Sequence, residues 1–182
     1  MSGDERNSRG KAFARERHAW IDEITDPATG RVGYDVRGSL SARLFADHEQ
    51  FPPDRSEAMT AAGLLTRFFL GQDPRQEPVL GEHGDLLLAR AAEWDESSGS
   101  IDMYYWYWGS YAMYQLGGRY WKIWNKVMKP VAIEHQRRDG DFKGSWDPVG
   151  VWGATGGRIY STAIMALTLE VYFRYARVLG SR

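Results

Sequence analysis

Apolar and polar residues alternate along the chain with the spacing of α-helices, and the pattern predicts an all-α protein. Six segments carry apolar residues three or four positions apart, with glycine, proline or aspartate at most of the boundaries between them. The predicted helices span residues 8–24, 57–70, 78–93, 102–116, 119–136 and 158–179. Residues 1–7 are predicted to be a disordered tail, and residues 8–180 to form one domain.

Two kinds of predicted helix alternate. The first, third and fifth are amphipathic, whereas the second, fourth and sixth are apolar on nearly every face, as expected of helices buried on most sides. The apolar helices begin near residues 57, 102 and 158, a spacing of about 45–55 residues that is typical of a helical-hairpin repeat. The sequence therefore predicts three hairpins in an α/α toroid or solenoid, with the apolar helices in the inner layer.

The fifth predicted helix shows the amphipathic pattern in detail. Its apolar residues at helical spacing are Tyr120, Ile123, Val127 and Val131, and its lysines lie on the other side. We therefore expect these four residues to form the buried face. Pro130 has no backbone N–H to donate within a helix, and we expect it to kink this one.

Aromatic residues are concentrated in the second half of the chain. Seven of the eight tryptophans lie between residues 94 and 152, and nine of the ten tyrosines between residues 104 and 175. Because each aromatic side chain buries about 150–250 Å², this half must build either a large core or an aromatic-lined cavity. The residues predicted to line such a cavity and contact a ligand are Tyr104, Trp106, Tyr107, Trp108, Tyr111, Tyr114, Trp146 and Trp152. Packing in the core remains the alternative for each of them.

Composition excludes several classes of function. The chain of 182 residues contains no cysteine, which excludes disulfides, thiolate metal sites and a cysteine nucleophile. Its 23 basic and 24 acidic residues are balanced, so nucleic acid is not a predicted partner. The four histidines lack metal-ligand spacing and are expected at the surface or at helix ends, so no metal and no cofactor is predicted.

Neither a membrane span nor a signal peptide is predicted. No uninterrupted apolar run approaches the roughly 20 residues that a membrane-spanning helix needs. The first residues carry too many charges for a signal peptide. The expected location is therefore the cytoplasm, or an extracytoplasmic compartment if the chain belongs to a longer protein with a signal upstream.

A distinctive motif follows the fifth predicted helix. Gln136 is followed by Gly140 and Gly144, each of which begins a Gly-x-aromatic triplet, and the second triplet ends at Trp146. This pattern resembles the QW repeat of squalene and oxidosqualene cyclases, which the prenyltransferase/squalene-oxidase repeat family shares in a looser form. The resemblance implies that the segment ends a helix. Gln136 would hydrogen-bond helix-end backbone groups, the glycines would turn the chain, and Trp146 would pack over the helix end.

The resemblance covers residues 8–180, including Trp152 and the Gly-Gly-Arg at 156–158 before the last helix. It implies the α/α toroid of terpenoid cyclases and protein prenyltransferases. Because a complete ring would need about twice this length, it implies a C-terminal half toroid. The implied partner is the rest of a larger parent chain or a second copy that completes the ring. The implied ligand is an isoprenoid or another hydrophobic molecule.

The sequence departs from the enzymes of this family. It lacks the Asp-x-Asp-Asp motif with which squalene cyclases protonate an alkene, and it has no cysteine for the zinc site of prenyltransferases. The prediction is therefore a non-catalytic repeat module that binds a hydrophobic ligand or a partner surface on a concave aromatic face. The alternatives are a terpene-cyclase- or prenyltransferase-like enzyme acting on an isoprenoid, and a polysaccharide-active α/α barrel that uses paired carboxylates.

Three carboxylates are candidates for catalysis. Glu57 and Asp102 precede two apolar helices whose N-termini would meet at one end of a toroid, where they could form a general acid/base pair. Helix N-capping is the alternative for both. Glu170 lies in the last apolar helix and is a candidate pocket acid, with an intrahelical pair with Arg174 as the alternative.

Overall fold

The computed structural model describes residues 19–41 and 43–174, and its regular secondary structure is helical. Helix α1 is described over residues 19–24. The other α-helices are α2 (Ala58–Phe69), α3 (Val79–Ala89), α4 (Met103–Leu116), α5 (Gly118–Glu134) and α6 (Gly153–Arg174), and two 3-10 helices cover Phe45–Asp47 and Pro53–Arg55. An isolated antiparallel bridge joins Thr25 to Val32, and these ranges contain no strand. The all-α prediction is confirmed for this part of the chain.

Most helix boundaries agree with the sequence pattern. Helix α1 ends at residue 24, where the prediction placed its end. Gly157 has a φ of 61° and interrupts α6, so that a short turn precedes the main helix, which begins at Arg158 as predicted. Helix α3 ends at Ala89 rather than at residue 93. The predicted tail and the predicted helical residues 8–18 and 175–179 lie outside the described residues.

Helix α4 lies at the centre of the helix assembly. It contacts α2, α3, α5 and α6, and further contacts join α2 to α3, α3 to α5, and α5 to α6. Within the described ranges, α2 and α6 do not contact one another. The two other apolar helices therefore flank α4. One hydrophobic core runs through these helices, and Trp106, Trp124 and Phe68 are among its largest fully buried side chains.

Helix α5 packs closely against α4 at Gly109, which has no side chain. A Cβ atom at Gly109 would lie 2.6 Å from the indole ring of Trp124, so only glycine leaves room for this ring. The Trp124 Nε1 donates a hydrogen bond of 2.9 Å to Ser110 Oγ, which satisfies its polar atom in the core. Gly109 and Ser110 therefore form the surface of α4 on which the Trp124 ring packs.

The buried face of α5 differs from the predicted one. Its buried residues are Trp124, Met128 and Ala132, each four positions from the next. Ile123 is 44% exposed, and the other three residues of the predicted face are half-buried. The packing of the Trp124 ring on α4 determines which face of α5 is buried. The average spacing of apolar residues along α5 could not predict this face. The helix continues through Pro130 to Glu134.

A buried polar network joins the N-terminal segment to α2 and α3. Arg67 and His83 are almost completely buried. Arg67 donates from Nε to His83 Nε2 over 3.0 Å and from Nη2 to Thr25 Oγ1 over 3.0 Å. Because His83 Nε2 accepts, its Nδ1 carries the proton and donates to the Gly30 carbonyl oxygen over 2.7 Å. The expectation of histidines at the surface or at helix ends is therefore wrong for His83.

Candidate functional site

A pocket lies where the N-terminal ends of α2, α4 and α6 meet. Its volume is about 430 Å³. The first residues of α2, the second residue of α4 and the first turns of α6 contribute to its wall, together with the irregular segment that precedes α2. Its aromatic and polar lining residues include Tyr34, Ser41, Arg43, Tyr104, Trp152 and Tyr160. The pocket is therefore largely aromatic, with one guanidinium and several hydroxyl groups.

Arg43 is fixed in the pocket wall by Asp102. The Arg43 Nη2 donates to Asp102 Oδ2 over 2.6 Å, and the two side chains are 2% and 1% exposed. Ser56 Oγ donates to the same oxygen over 2.8 Å, while Asp102 Oδ1 accepts from the backbone N–H of Tyr105 over 3.0 Å. Asp102 is thus the N-cap of α4 and the partner of a buried arginine, so that its charge is both paired and hydrogen-bonded.

Glu57 is held by a second arginine. Arg31 donates from Nε to both carboxylate oxygens, over 3.0 and 3.2 Å, and from Nη2 to Oε1 over 2.6 Å. Thr60 Oγ1 donates to Oε2 over 2.8 Å. This forked contact raises the pKa of Arg31, chiefly through its hydrogen bonds to Glu57. Glu57 occupies the N-cap position of α2, but its side chain makes no capping hydrogen bond there.

The two carboxylates lie at the same end of the helix assembly, as the sequence predicts. Ser56, the chain neighbour of Glu57, contacts Asp102 directly. Burial, and next the charges of Glu57 and Asp102, raise the pKa of Tyr105 well above its ordinary value. Every oxygen of both carboxylates already accepts a hydrogen bond from the protein, and neither residue lines the pocket. This arrangement anchors irregular segments to the helices.

Two aromatic residues of the pocket wall each carry a buried polar atom without a protein partner among the described residues. Trp152 Nε1 and Tyr160 Oη are buried and make no hydrogen bond within the described ranges. Burial, followed by the negative charge of Asp102, raises the pKa of Tyr160, so its hydroxyl stays protonated at neutral pH. Almost no surface of these two atoms is accessible, although both residues line the pocket.

The predicted ligand-contacting aromatics divide into three groups. Tyr104 and Trp152 line the pocket, and their ring centroids are 6.5 Å apart. Trp106 and Trp146 are buried in the hydrophobic core, which was the alternative for them. The remaining ones are half-buried around α4 and do not line this pocket: Tyr107, Trp108, Tyr111 and Tyr114. The aromatic density of the sequence therefore builds mainly core.

The QW-like segment follows the end of α5, but Trp146 rather than Gln136 makes the hydrogen bond to the helix end. Trp146 Nε1 donates to the Ala132 carbonyl oxygen over 2.7 Å, so the tryptophan satisfies a carbonyl in the last turn of the helix. Gln136 Nε2 instead donates to the carbonyl of Gly144 in the loop, over 2.9 Å. Gly140 and Gly144 have φ values of 64° and 84°, which glycine adopts without strain, and they turn the chain as expected.

Glu170 is exposed on α6 and does not line the pocket. Its predicted partner was Arg174, whose side chain lies outside the described residues. The position of Glu170 therefore does not provide the buried environment that a pocket acid requires.

The sequence alone could not predict that several of these residues line the pocket. Arg43 and Ser41 lie in an irregular segment without periodicity, and the partner of Arg43 is 59 positions further along the chain. Tyr34 lies in the glycine-bearing loop after α1. Tyr160 belongs to an apolar helix and gives the same pattern as a core residue. Only the aromatic density around Tyr104 and Trp152 was a usable signal.

Other kinds of site were sought in the same part of the chain. No helix there has the length and apolar character to cross a lipid bilayer. No cluster of three or more histidine, aspartate or glutamate side chains that could bind a metal occurs among the described residues. Comparisons of the chain with protein-family models, with curated proteins and with solved structures found no match.

Proposed function

We propose that this chain is a non-catalytic binding module that takes a hydrophobic ligand into the pocket between Tyr104 and Trp152. The observation that carries the proposal is the pocket itself, about 430 Å³ with aromatic walls, at the junction of three helix ends. Pockets of this size and lining suit a small molecule with an apolar body, because aromatic side chains offer large apolar surfaces of fixed shape.

The pocket wall is held in place before any ligand arrives. The ion pair of Arg43 and Asp102 fixes the irregular segment against the start of α4, and Ser41 Oγ donates to the Ser56 carbonyl oxygen over 3.0 Å. Because the wall is already ordered, little conformational entropy is lost there when a ligand binds, and this favours binding.

We further propose that the helices belong to an α/α toroid of the kind found in the prenyltransferase/squalene-oxidase repeat family. The QW-like segment at the end of α5 and the position of α4 between α2 and α6 support this proposal. The partner would then be the rest of a parent chain or a second copy. The two enzymatic alternatives receive no comparable support, because no carboxylate lines the pocket, and Glu57 and Asp102 are each paired with an arginine.

Filling the pocket tests the proposed function. Thr155 is exposed and lines the pocket, whereas its neighbour Ala154 is exposed and does not. Thr155→Trp should weaken the binding of naphthalene, measured by ligand-detected NMR, by about tenfold or more. Ala154→Trp introduces the same side chain next to the pocket and should leave binding unchanged. Equal affinities for the two variants, or no binding to the unmodified chain, would contradict the proposal.

A further inference from the structure

We propose that the exposed face of α5 docks on the surface of an anionic lipid bilayer. This inference goes beyond the proposed function, because no residue of α5 lines the pocket between Tyr104 and Trp152. It assigns a partner with anionic headgroups to a helix face that combines unpaired cations with exposed apolar side chains.

The exposed face of α5 carries a stripe of four cations. They follow one another at intervals of three, four and three residues: Arg119, Lys122, Lys126 and Lys129. With about 3.6 residues per turn, these positions fall within about a quarter of the helix circumference, over a length of about 15 Å. The only acidic residue of α5 is Glu134, at its last position. Positive charge therefore runs along most of the helix.

The three lysines of this stripe have no counter-ion in the protein. Arg119 Nη2 contacts Asp85 Oδ1 over 2.9 Å, but within residues 19–41 and 43–174 no ion pair involves Lys122, Lys126 or Lys129. The net charge of the whole chain is only -1, so the acidic residues that balance the lysines lie elsewhere. Because exposed charges act mainly within a Debye length of about 10 Å, a partner that touches α5 meets chiefly this stripe. A complementary partner is therefore negatively charged.

Apolar side chains share this face with the cations. Ile123 and Ile133 are each 44% exposed, and Pro130 is exposed as well. No uncharged polar side chain of α5 is exposed. At a bilayer surface, lysines meet the anionic headgroups while neighbouring apolar side chains enter the boundary with the acyl chains. The composition of this face fits such a surface.

The other side of α5 is occupied by the core. Trp124, Met128 and Ala132 are buried there, and Trp124 is hydrogen-bonded to Ser110 on α4. The exposed face is thus presented without any rotation or release of the helix. We therefore expect a contact at the level of the headgroups rather than an inserted helix.

Nucleic acid is the main competing anionic partner. Its backbone offers phosphates to lysines, but its outer surface has no apolar layer that Ile123 and Ile133 could enter. The isoleucines therefore favour the bilayer, and they separate the two partners in an experiment.

Binding of the full chain to vesicles tests the inference. At low ionic strength the chain should co-sediment with vesicles of equal parts phosphatidylglycerol and phosphatidylcholine. Its affinity for vesicles of phosphatidylcholine alone should be lower by about tenfold or more, because each lysine near an anionic surface contributes about fivefold to the affinity. Added salt should weaken the binding to the anionic vesicles.

A matched pair of triple variants assigns the binding to the lysines. Combined Lys122→Gln, Lys126→Gln and Lys129→Gln should lower the affinity for the anionic vesicles by about tenfold or more. The control replaces three exposed cations outside α5 and changes the net charge equally: Arg55→Gln, Arg138→Gln and Lys143→Gln. It should retain most of the affinity. Thermal unfolding checks that both variants keep the fold.

A second matched pair tests the apolar contact. Ile123→Gln should weaken binding to the anionic vesicles by about fivefold, because an apolar side chain then no longer enters the bilayer. Ile159→Gln changes an isoleucine of α6 that is 86% exposed and should leave the binding unchanged.

Several results would overturn the inference. These are no binding to anionic vesicles, equal binding to both kinds of vesicle, and equal losses in the two triple variants. Binding to a DNA duplex that is at least as tight as binding to the anionic vesicles, and that Ile123→Gln does not weaken, would overturn the bilayer as the partner. Naphthalene binding is measured separately and does not involve α5, so failure of this inference leaves the proposed function standing.

Discussion

Arg67 brings a positive charge into the interior of the protein, where a neutral histidine accepts one of its hydrogen bonds. Its guanidinium also contacts the exposed Asp22, with 2.7 Å between Arg67 Nη1 and Asp22 Oδ1. Burial, and next the charge of Arg67, lower the pKa of His83 from 6.5 to about 4. His83 is therefore neutral in the folded protein at neutral pH, and this protonation state links folding to pH.

Acid should destabilise the protein through His83. Between pH 6.5 and about 4 the unfolded chain binds a proton at this residue that the folded chain excludes, so the free energy of unfolding falls as the pH falls. The slope from one such group approaches about 1.4 kcal/mol per pH unit. Urea denaturation across this range should show the slope in the unmodified chain and a flatter dependence in His83→Gln. His135→Gln, at a half-buried histidine, should keep the steeper slope; equal slopes in the two variants would contradict the account.

At the scale of the helices, the contact between α4 and α5 depends on a single missing side chain. Gly109→Ala should destabilise the protein by about 1–3 kcal/mol, because the new Cβ would overlap the Trp124 ring. This loss opposes the gain of about 1 kcal/mol that alanine normally brings to a helix interior. Thermal unfolding of the two proteins measures the difference.

A second glycine provides the control for this helix contact. Gly81 lies in α3, and a Cβ there would approach only the Tyr120 hydroxyl, at 3.4 Å. Gly81→Ala should therefore leave stability unchanged or raise it by a few tenths to about 1 kcal/mol. A stabilised Gly109→Ala variant would show that α5 does not pack on α4 through Trp124.

Sequence periodicity predicted the helices better than their orientation. The alternation of apolar and amphipathic segments placed α2, α4 and α5 close to their observed bounds, and it placed the start of the main part of α6, because helix spacing and glycine punctuation are local properties. The buried face of α5 was missed because it depends on where one indole docks on another helix. The hydrogen bonds of Gln136 and Trp146 were missed for the same reason, since both partners are set by how the loop folds back.

At the scale of the whole molecule, the two ends of the α2, α4 and α6 group differ. The N-terminal ends form the pocket, whereas the C-terminal ends expose aromatic side chains, including Phe69, Tyr172 and Phe173. The convergence of the N-terminal ends could be predicted from the repeat pattern. Arg43 could not, because an irregular segment brings it to Asp102 and no local pattern encodes that path. The exposed aromatic end is the surface that competes with the pocket for an apolar probe.

The most direct test of the account locates an apolar probe in crystals of the chain. In crystals soaked with 2-bromonaphthalene, anomalous scattering from bromine marks the bound molecule without reference to its affinity. We expect a bromine peak in the pocket between Tyr104 and Trp152, and its loss in Thr155→Trp. A peak only at the exposed aromatic end near Tyr172 and Phe173, or a pocket without bromine in the unmodified chain, would contradict the claim that this pocket is the binding site.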